Sequence, residues 1–304
     1  MTGTAPARHD QTFQWSWGGQ DLTCAITRQG AGPRALLLPA LSSISTRDEM
    51  APLQAQLSER FETLAPDWPG FGTDDKPRVA WTPAAMAAWL DHVLSRVVPD
   101  PHLIVAAGHA AGYLLRHFAG DPARTPQIAL VAPTWRGPLP TMMGRRPGWL
   151  ARVRAAVDIP VAGPALYALN LNGLVIRRMA KRHVYADPSW LTSARMDAKR
   201  SVSRAAGARF ASVRFVTGAL DPFDTGDEPR AAAAAMPRGR LQMIWGAETP
   251  RKSKAEMEAL AAAAGVTPTV LPRGKLGAHE EFAEDVAATI FGQAPGNRLK
   301  ETTS

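Results

Sequence analysis

The sequence predicts an α/β fold: a mostly parallel eight-stranded sheet with helices on both faces and a helical cap inserted after the sixth strand. Three observations predict it. Short apolar runs bounded by Gly or Pro alternate with helical patterns, which signals βαβ crossovers and a parallel sheet. The first two runs are joined by Gly18-Gly19, a turn suited to an antiparallel hairpin. One long interval, 134–227, holds helix-like pieces and no good strand.

Taken in order, residues 12–17 and 22–28 alternate or are β-branched, as hairpin strands should be. Residues 34–38, 61–65, 103–107, 128–131, 241–245 and 268–271 are short and apolar without alternation, as expected of strands covered on both faces. Between them, 47–59, 83–98, 110–119, 251–264 and 280–291 carry helical spacing. The strandless interval contains 149–157, 165–183 and 190–205, separated by Pro and Gly. The expected organisation is therefore a core of 1–134 and 228–304 and a cap of 135–227. Such a cap would sit over the carboxyl ends of the strands, where open α/β sheets bind ligands.

Composition narrows the function classes. With 45% hydrophobic and 20% charged residues, a chain of 304 residues can bury a full core, which excludes fibrous and low-complexity classes. The single cysteine, Cys24, excludes an internal disulfide and a thiolate metal cluster, and neither a metal nor another cofactor is expected. No apolar run approaches the roughly 20 residues of a membrane-spanning helix. Residues 1–11 lack the charged and apolar regions of a secretory signal, so a cytoplasmic location is expected, with peripheral membrane attachment as a variant.

Charge is unevenly placed. The chain carries a net +8, yet between Arg136 and Arg214 fifteen Lys or Arg face three acids, a net +12 that leaves −4 for the rest. Such a block points to an anionic neighbour, whether a membrane surface, an acidic protein or an anionic ligand, or else to a solvated basic face. Nucleic acid is not expected, since no aromatic RNA-binding signature, helix-turn-helix pattern or zinc finger accompanies the charge.

The string from Ala65 to Pro77, APDWPGFGTDDKP, is similar to the D-x-P-G-x-G-x-S-x-x-P loop that follows the fourth strand of capped α/β-hydrolases such as epoxide hydrolases, haloalkane dehalogenases and related esterases. With the element order, the resemblance covers almost the whole chain and implies the α/β-hydrolase fold. It also implies a nucleophile elbow, G-x-Nu-x-G, after the fifth strand. Here the matching string is Gly108-His109-Ala110-Ala111-Gly112, which puts Ala110 at the nucleophile position. A methyl group cannot attack a carbonyl, epoxide or carbon–halogen bond.

The other positions that the resemblance implies depart as well. The acid position after the seventh strand is Thr249, with Glu248 one residue off, and the base position after the eighth is Leu276, with His279 matching a second, noncatalytic histidine. The His-Gly that helps shape the family's oxyanion hole is Pro39-Ala40. Nucleophile, acid and base are thus all altered, which favours a non-hydrolytic binder of an apolar or acyl-like ligand or of a partner protein. Its pocket would be lined by Leu41, Ser42, His109, Ala110, Trp135 and His183. The alternative is an esterase-like hydrolase with a relocated site, in which Glu248 orients His279 and Ser43 or a water attacks. Asp221, before Pro222, reads as a turn aspartate, and His183, Tyr185 and Asp187 as a cap segment near the pocket.

Overall fold

A computed structural model describes residues 6–73, 76–170 and 172–293, with the backbone alone at Asn170. Asp74 and Asp75 of the glycine loop, and the outer ends of the expected core at 1–5 and 294–304, lie outside the described residues. The hairpin forms as expected: β1 (Arg8–Trp17) and β2 (Gln20–Gln29) pair antiparallel in full register through Gly18 and Gly19, both at positive φ. Then follow β3 (Arg34–Leu38), β4 (Glu62–Pro66), β5 (Leu103–Ala107), β6 (Gln127–Val131), β7 (Leu241–Gly246) and β8 (Thr269–Leu271). All eight join one sheet in the order β1-β2-β4-β3-β5-β6-β7-β8, parallel from β4 onward. The two strands at its middle, β3 and β5, are almost wholly buried.

Two apolar layers cover the sheet, one on each face. The layer on one face includes Leu36, Leu38, Ile104, Leu114, Leu130 and Trp245, and the layer on the other includes Leu37, Val105, Val131, Leu53 and Val286. The alternation of partners along β3 (Leu36 and Leu38 one way, Leu37 the other) follows from the two-residue period of a strand. Among the helices that supply these layers are α1 (Ala51–Leu57), α2 (Pro83–His92) and α3 (Ala110–Ala119). A 3-10 turn, Arg47–Met50, precedes α1 and is capped by the Thr46 hydroxyl, which accepts from the Asp48 amide.

Between β6 and β7 the chain leaves the sheet in a helical excursion: α4 (Pro138–Met143), α5 (Leu150–Asp158), α6 (Ala162–Asn170), α7 (Gly173–Met179), α8 (Ser193–Arg204) and α9 (Ala208–Val216). The expected single helix over 165–183 is corrected, because it is two. Asn172 ends the first and caps the second, its Oδ1 accepting from the amides of Leu174 and Val175 and its Nδ2 donating to the Leu169 carbonyl. The chain returns through α10 (Asp227–Ala234), and α11 (Arg251–Ala264), α12 (Ala278–Glu281) and α13 (Ala283–Ile290) complete the cover. Among the described residues no helix is long and apolar enough to cross a membrane.

The glycine loop after β4 is held from inside by Asp67, which is fully buried. Its carboxylate accepts from the Arg47 amide (2.6 Å), the Arg47 guanidinium (2.6 Å) and the Thr73 amide (3.1 Å). Gly72, at φ +60°, passes so close that a Cβ there would stand 2.1 Å from Asp67 Cγ, which is why the loop demands glycine at this point.

Candidate functional site

The elbow forms where β5 stops. Ala107 is the last strand residue, Gly108 takes φ +53°, His109 returns to φ −69°, and α3 starts at Ala110. Within 107–112 only Gly108 has a positive φ, so the sharp strand-to-helix apex is Gly108. The expectation that Ala110 stands at the apex is corrected by two residues: Ala110 is the first residue of the helix and is fully buried. Ala106 and Ala110 flank the apex where the motif has its two small residues. Gly112 instead serves close packing of α3, since a Cβ there would lie 2.8 Å from Pro222 and 3.2 Å from Trp135.

His109 is 2% exposed and turned sideways into the protein. Its Nε2 donates to the Leu220 carbonyl at 3.2 Å and stands 3.7 Å from Asp221 Oδ1, while its ring meets Phe215 and Tyr113 edge-on. The Tyr113 hydroxyl donates to the same carbonyl. Burial lowers the His109 pKa, against the opposing pull of the Asp221 charge and the Leu220 carbonyl. The reading of Asp221 as a turn aspartate is corrected: it is 3% exposed and accepts from the Gly137 amide (2.7 Å) and the Arg146 guanidinium (2.8 Å). It thereby fastens the outgoing and returning ends of the helical excursion. Burial raises its carboxyl pKa, and the charges of His109 and Arg146 offset only part of that.

A second centre lies beside β3. His279, 3% exposed at the start of α12, has Nε2 3.3 Å from Oε1 of Glu49, though off the line of a hydrogen bond. The same Glu49 oxygen accepts from the Ala40 amide at 2.6 Å, and Ala40 is the residue that a Cβ at Gly108 would meet, at 3.2 Å. Burial pushes the Glu49 carboxyl up, but His279, Lys199 and the Ser45 hydroxyl outweigh it and hold the pKa below the usual glutamate value. Lys199 reaches in from α8 to within 3.5 Å of Glu280, which also accepts from the Tyr185 hydroxyl. Glu281 accepts from the amides of Ala186 and Asp187.

The relocated site does not assemble as expected. Glu248 is exposed and Glu49 takes the place by His279, while Ser43 accepts from the Ser212 hydroxyl at 2.5 Å. Thr249 is buried with its hydroxyl unpartnered among the described residues, and Leu276 is half-buried, its amide donating to the His183 carbonyl. Of the six residues expected to line a pocket, Leu41, His109, Ala110 and Trp135 are buried to within a few percent. Ser42 and His183 keep partial exposure. Trp135 packs edge-on against Phe223. Two surface hollows, of about 410 and 300 Å³, involve none of the six. Among the described residues no three His, Cys, Asp or Glu gather as a metal site.

Sequence reasoning missed Glu49, Lys199 and Glu280, which come together only through the fold. The apex did have a local signal: a strand ending at 107 and a helix starting at 110 leave only Gly108 and His109 for the turn.

Sheet order, elbow and glycine loop define an α/β-hydrolase. Residues 30–289 match the model of the alpha/beta hydrolase family, and the chain belongs to that family. Among solved structures it is similar to haloalkane dehalogenase DbeA from Bradyrhizobium elkani (17% identity, TM-score 0.70, 93% of this chain and 97% of that one). The Cif epoxide hydrolase from Acinetobacter nosocomialis (14%, 0.70, 93% and 88%) and the enol-lactonase from Burkholderia xenovorans LB400 (19%, 0.66, 92% and 98%) are similar to the same degree. At these identities the likeness is one of fold. An uncharacterized protein of Mycobacterium tuberculosis is 36% identical over 83 residues, 27% of this chain and 23% of that protein.

Proposed function

We propose that this chain is a non-hydrolytic member of the α/β-hydrolase family that acts by binding. The observation that carries the proposal is Gly108 at the apex: where the family's reaction needs a nucleophile, there is no side chain. Thr249 and Leu276, at the acid and base positions, supply neither a carboxylate nor an imidazole. His279 is a base by chemistry, but Glu49 holds it beside the Ala40 amide, and no hydroxyl is hydrogen-bonded to it among the described residues. In this reading the helical excursion is the cap. An apolar or acyl-like ligand would enter on the side where Ser42, His183 and Leu276 keep partial exposure.

The reactions to test are those of the structural neighbours: haloalkane, epoxide and enol-lactone hydrolysis, with aryl esters added. The expected result is no turnover above background and no fluorophosphonate labelling, either by the wild type or by Gly108→Ser, since a serine without a base stays a weak nucleophile. Wild-type turnover that survives repurification and disappears in His279→Ala overturns the proposal.

A further inference from the structure

The +12 block is not one surface. Arg136, Arg146, Lys199 and Arg214 turn inward to Glu256, Asp221, Glu280 and Asp158, so part of its charge fastens the excursion. Arg177, Arg178, Lys181 and Arg182 do the opposite. As two adjacent pairs four residues apart along α7 and the single π turn Ala180–Val184 that continues it, they form one cationic stripe with Leu174 and line the open hollow of about 410 Å³. All are exposed, and none has an acidic partner among the described residues.

The exposed apolar residues fall in the same part of the chain. Among the described residues, ten of the eleven large hydrophobic side chains most open to solvent lie between Met142 and Met179, the exception being Val270. Val161 is 88% exposed, Leu174 82% and Leu169 70%. The Asn172 side chain ties the Leu169 carbonyl to the first amides of α7, so Leu169 and Leu174 flank one turn at the head of the cationic stripe. Ile176 and Ala180 face inward, and they fix the stripe outward.

We infer that this face docks on an anionic phospholipid surface, with Leu169 and Leu174 entering the acyl boundary and the four cations meeting headgroup phosphates. Soluble anions would satisfy the cations and leave the leucines in water. A bilayer interface accepts both at once, and the pairing of apolar side chains with a Lys/Arg stripe is what interfacial helices present. The inference is independent of whether the elbow is catalytic.

Sedimentation of the full chain with vesicles tests it. Vesicles of phosphatidylserine and phosphatidylcholine should carry the protein down at physiological salt, and phosphatidylcholine alone should not. Since each Lys or Arg near such a surface is worth roughly fivefold in affinity, changing all four to Gln should weaken binding roughly several hundredfold. Leu169→Ser with Leu174→Ser should weaken it at high salt as well, where the Debye length of about 3 Å at 1 M leaves only the apolar contribution. Unchanged thermal unfolding of both variants keeps the comparison fair. No sedimentation of the wild type, equal sedimentation of the four-Gln variant, or tighter binding to polyglutamate than to the vesicles overturns the inference, the last in favour of an acidic protein.

Discussion

Two histidines lie almost fully buried against a carboxylate, and the two pairs are built in opposite senses. Asp221, facing His109, has its pKa raised, whereas Glu49, facing His279, has its pKa lowered. Depth of burial does not separate them, since both carboxylates are within a few percent of complete burial. The partners do. Arg146, beside Asp221, keeps 32% of its side chain in solvent, where water screens its charge. His279 and Lys199 keep 3% and 9% and act on Glu49 through protein alone. At Asp221 neither His109, itself 2% exposed, nor Arg146 overcomes the cost of burial, whereas at Glu49 His279, Lys199 and the Ser45 hydroxyl together do.

The largest effect that would sharpen this contrast is expected at Asp221. Asp221→Ala leaves the Gly137 amide unpaired and Arg146 with only the exposed Asp224, and should cost about 3 kcal/mol, read as a lower urea midpoint. An unchanged midpoint would mean that packing alone holds the ends of the excursion.

A smaller and pH-dependent effect is expected at the other pair. Because the folded Glu49 pKa lies below its unfolded value, its contribution to stability is present above the unfolded pKa and is lost as pH falls through the folded one. Glu49→Gln should therefore cost about 1–3 kcal/mol at pH 7 and progressively less toward pH 4. Asp221 has the opposite sign, with stability present below its unfolded pKa and lost as pH rises. The deficit of Asp221→Asn should consequently grow on acidification. Parallel pH profiles of the two variants would erase the distinction.

The smallest effect is expected for His109→Phe. The Leu220 carbonyl keeps the Tyr113 hydroxyl, and a buried Nδ1 with no partner is removed, so the change should be below about 1 kcal/mol in the same unfolding experiment. A loss of several kcal/mol would make His109 a member of the Asp221 clamp rather than its neighbour.

Much of the fold was legible because it rests on local pattern. β5, α3 and α11 form over the residues their periodicity predicts, and the hairpin pivots on its two glycines. The break at 170–173 carried an Asn-Gly signal, but apolar residues on both sides masked it. The elbow was misread for a subtler reason. Small residues at 106, 108, 110 and 112 let the motif fit in two registers, and only the backbone turn distinguishes them. The carboxylate pairs were beyond sequence reading: Glu49 and His279 are brought together by the parallel sheet, and Asp221 meets Gly137 across the whole excursion. No local spacing records either meeting.

The clamp at Asp221 also makes the excursion a graft. Its outgoing residue, Gly137, and its returning residue, Asp221, are hydrogen-bonded to each other, so everything between them leaves and rejoins the sheet through one doorway. The strands on either side do not register how much chain passes through it. Closure entropy grows so slowly with length that doubling a flexible loop costs only about 0.6 kcal/mol. The scaffold can thus trade one excursion for another of different size or charge and leave β6 and β7 where they are.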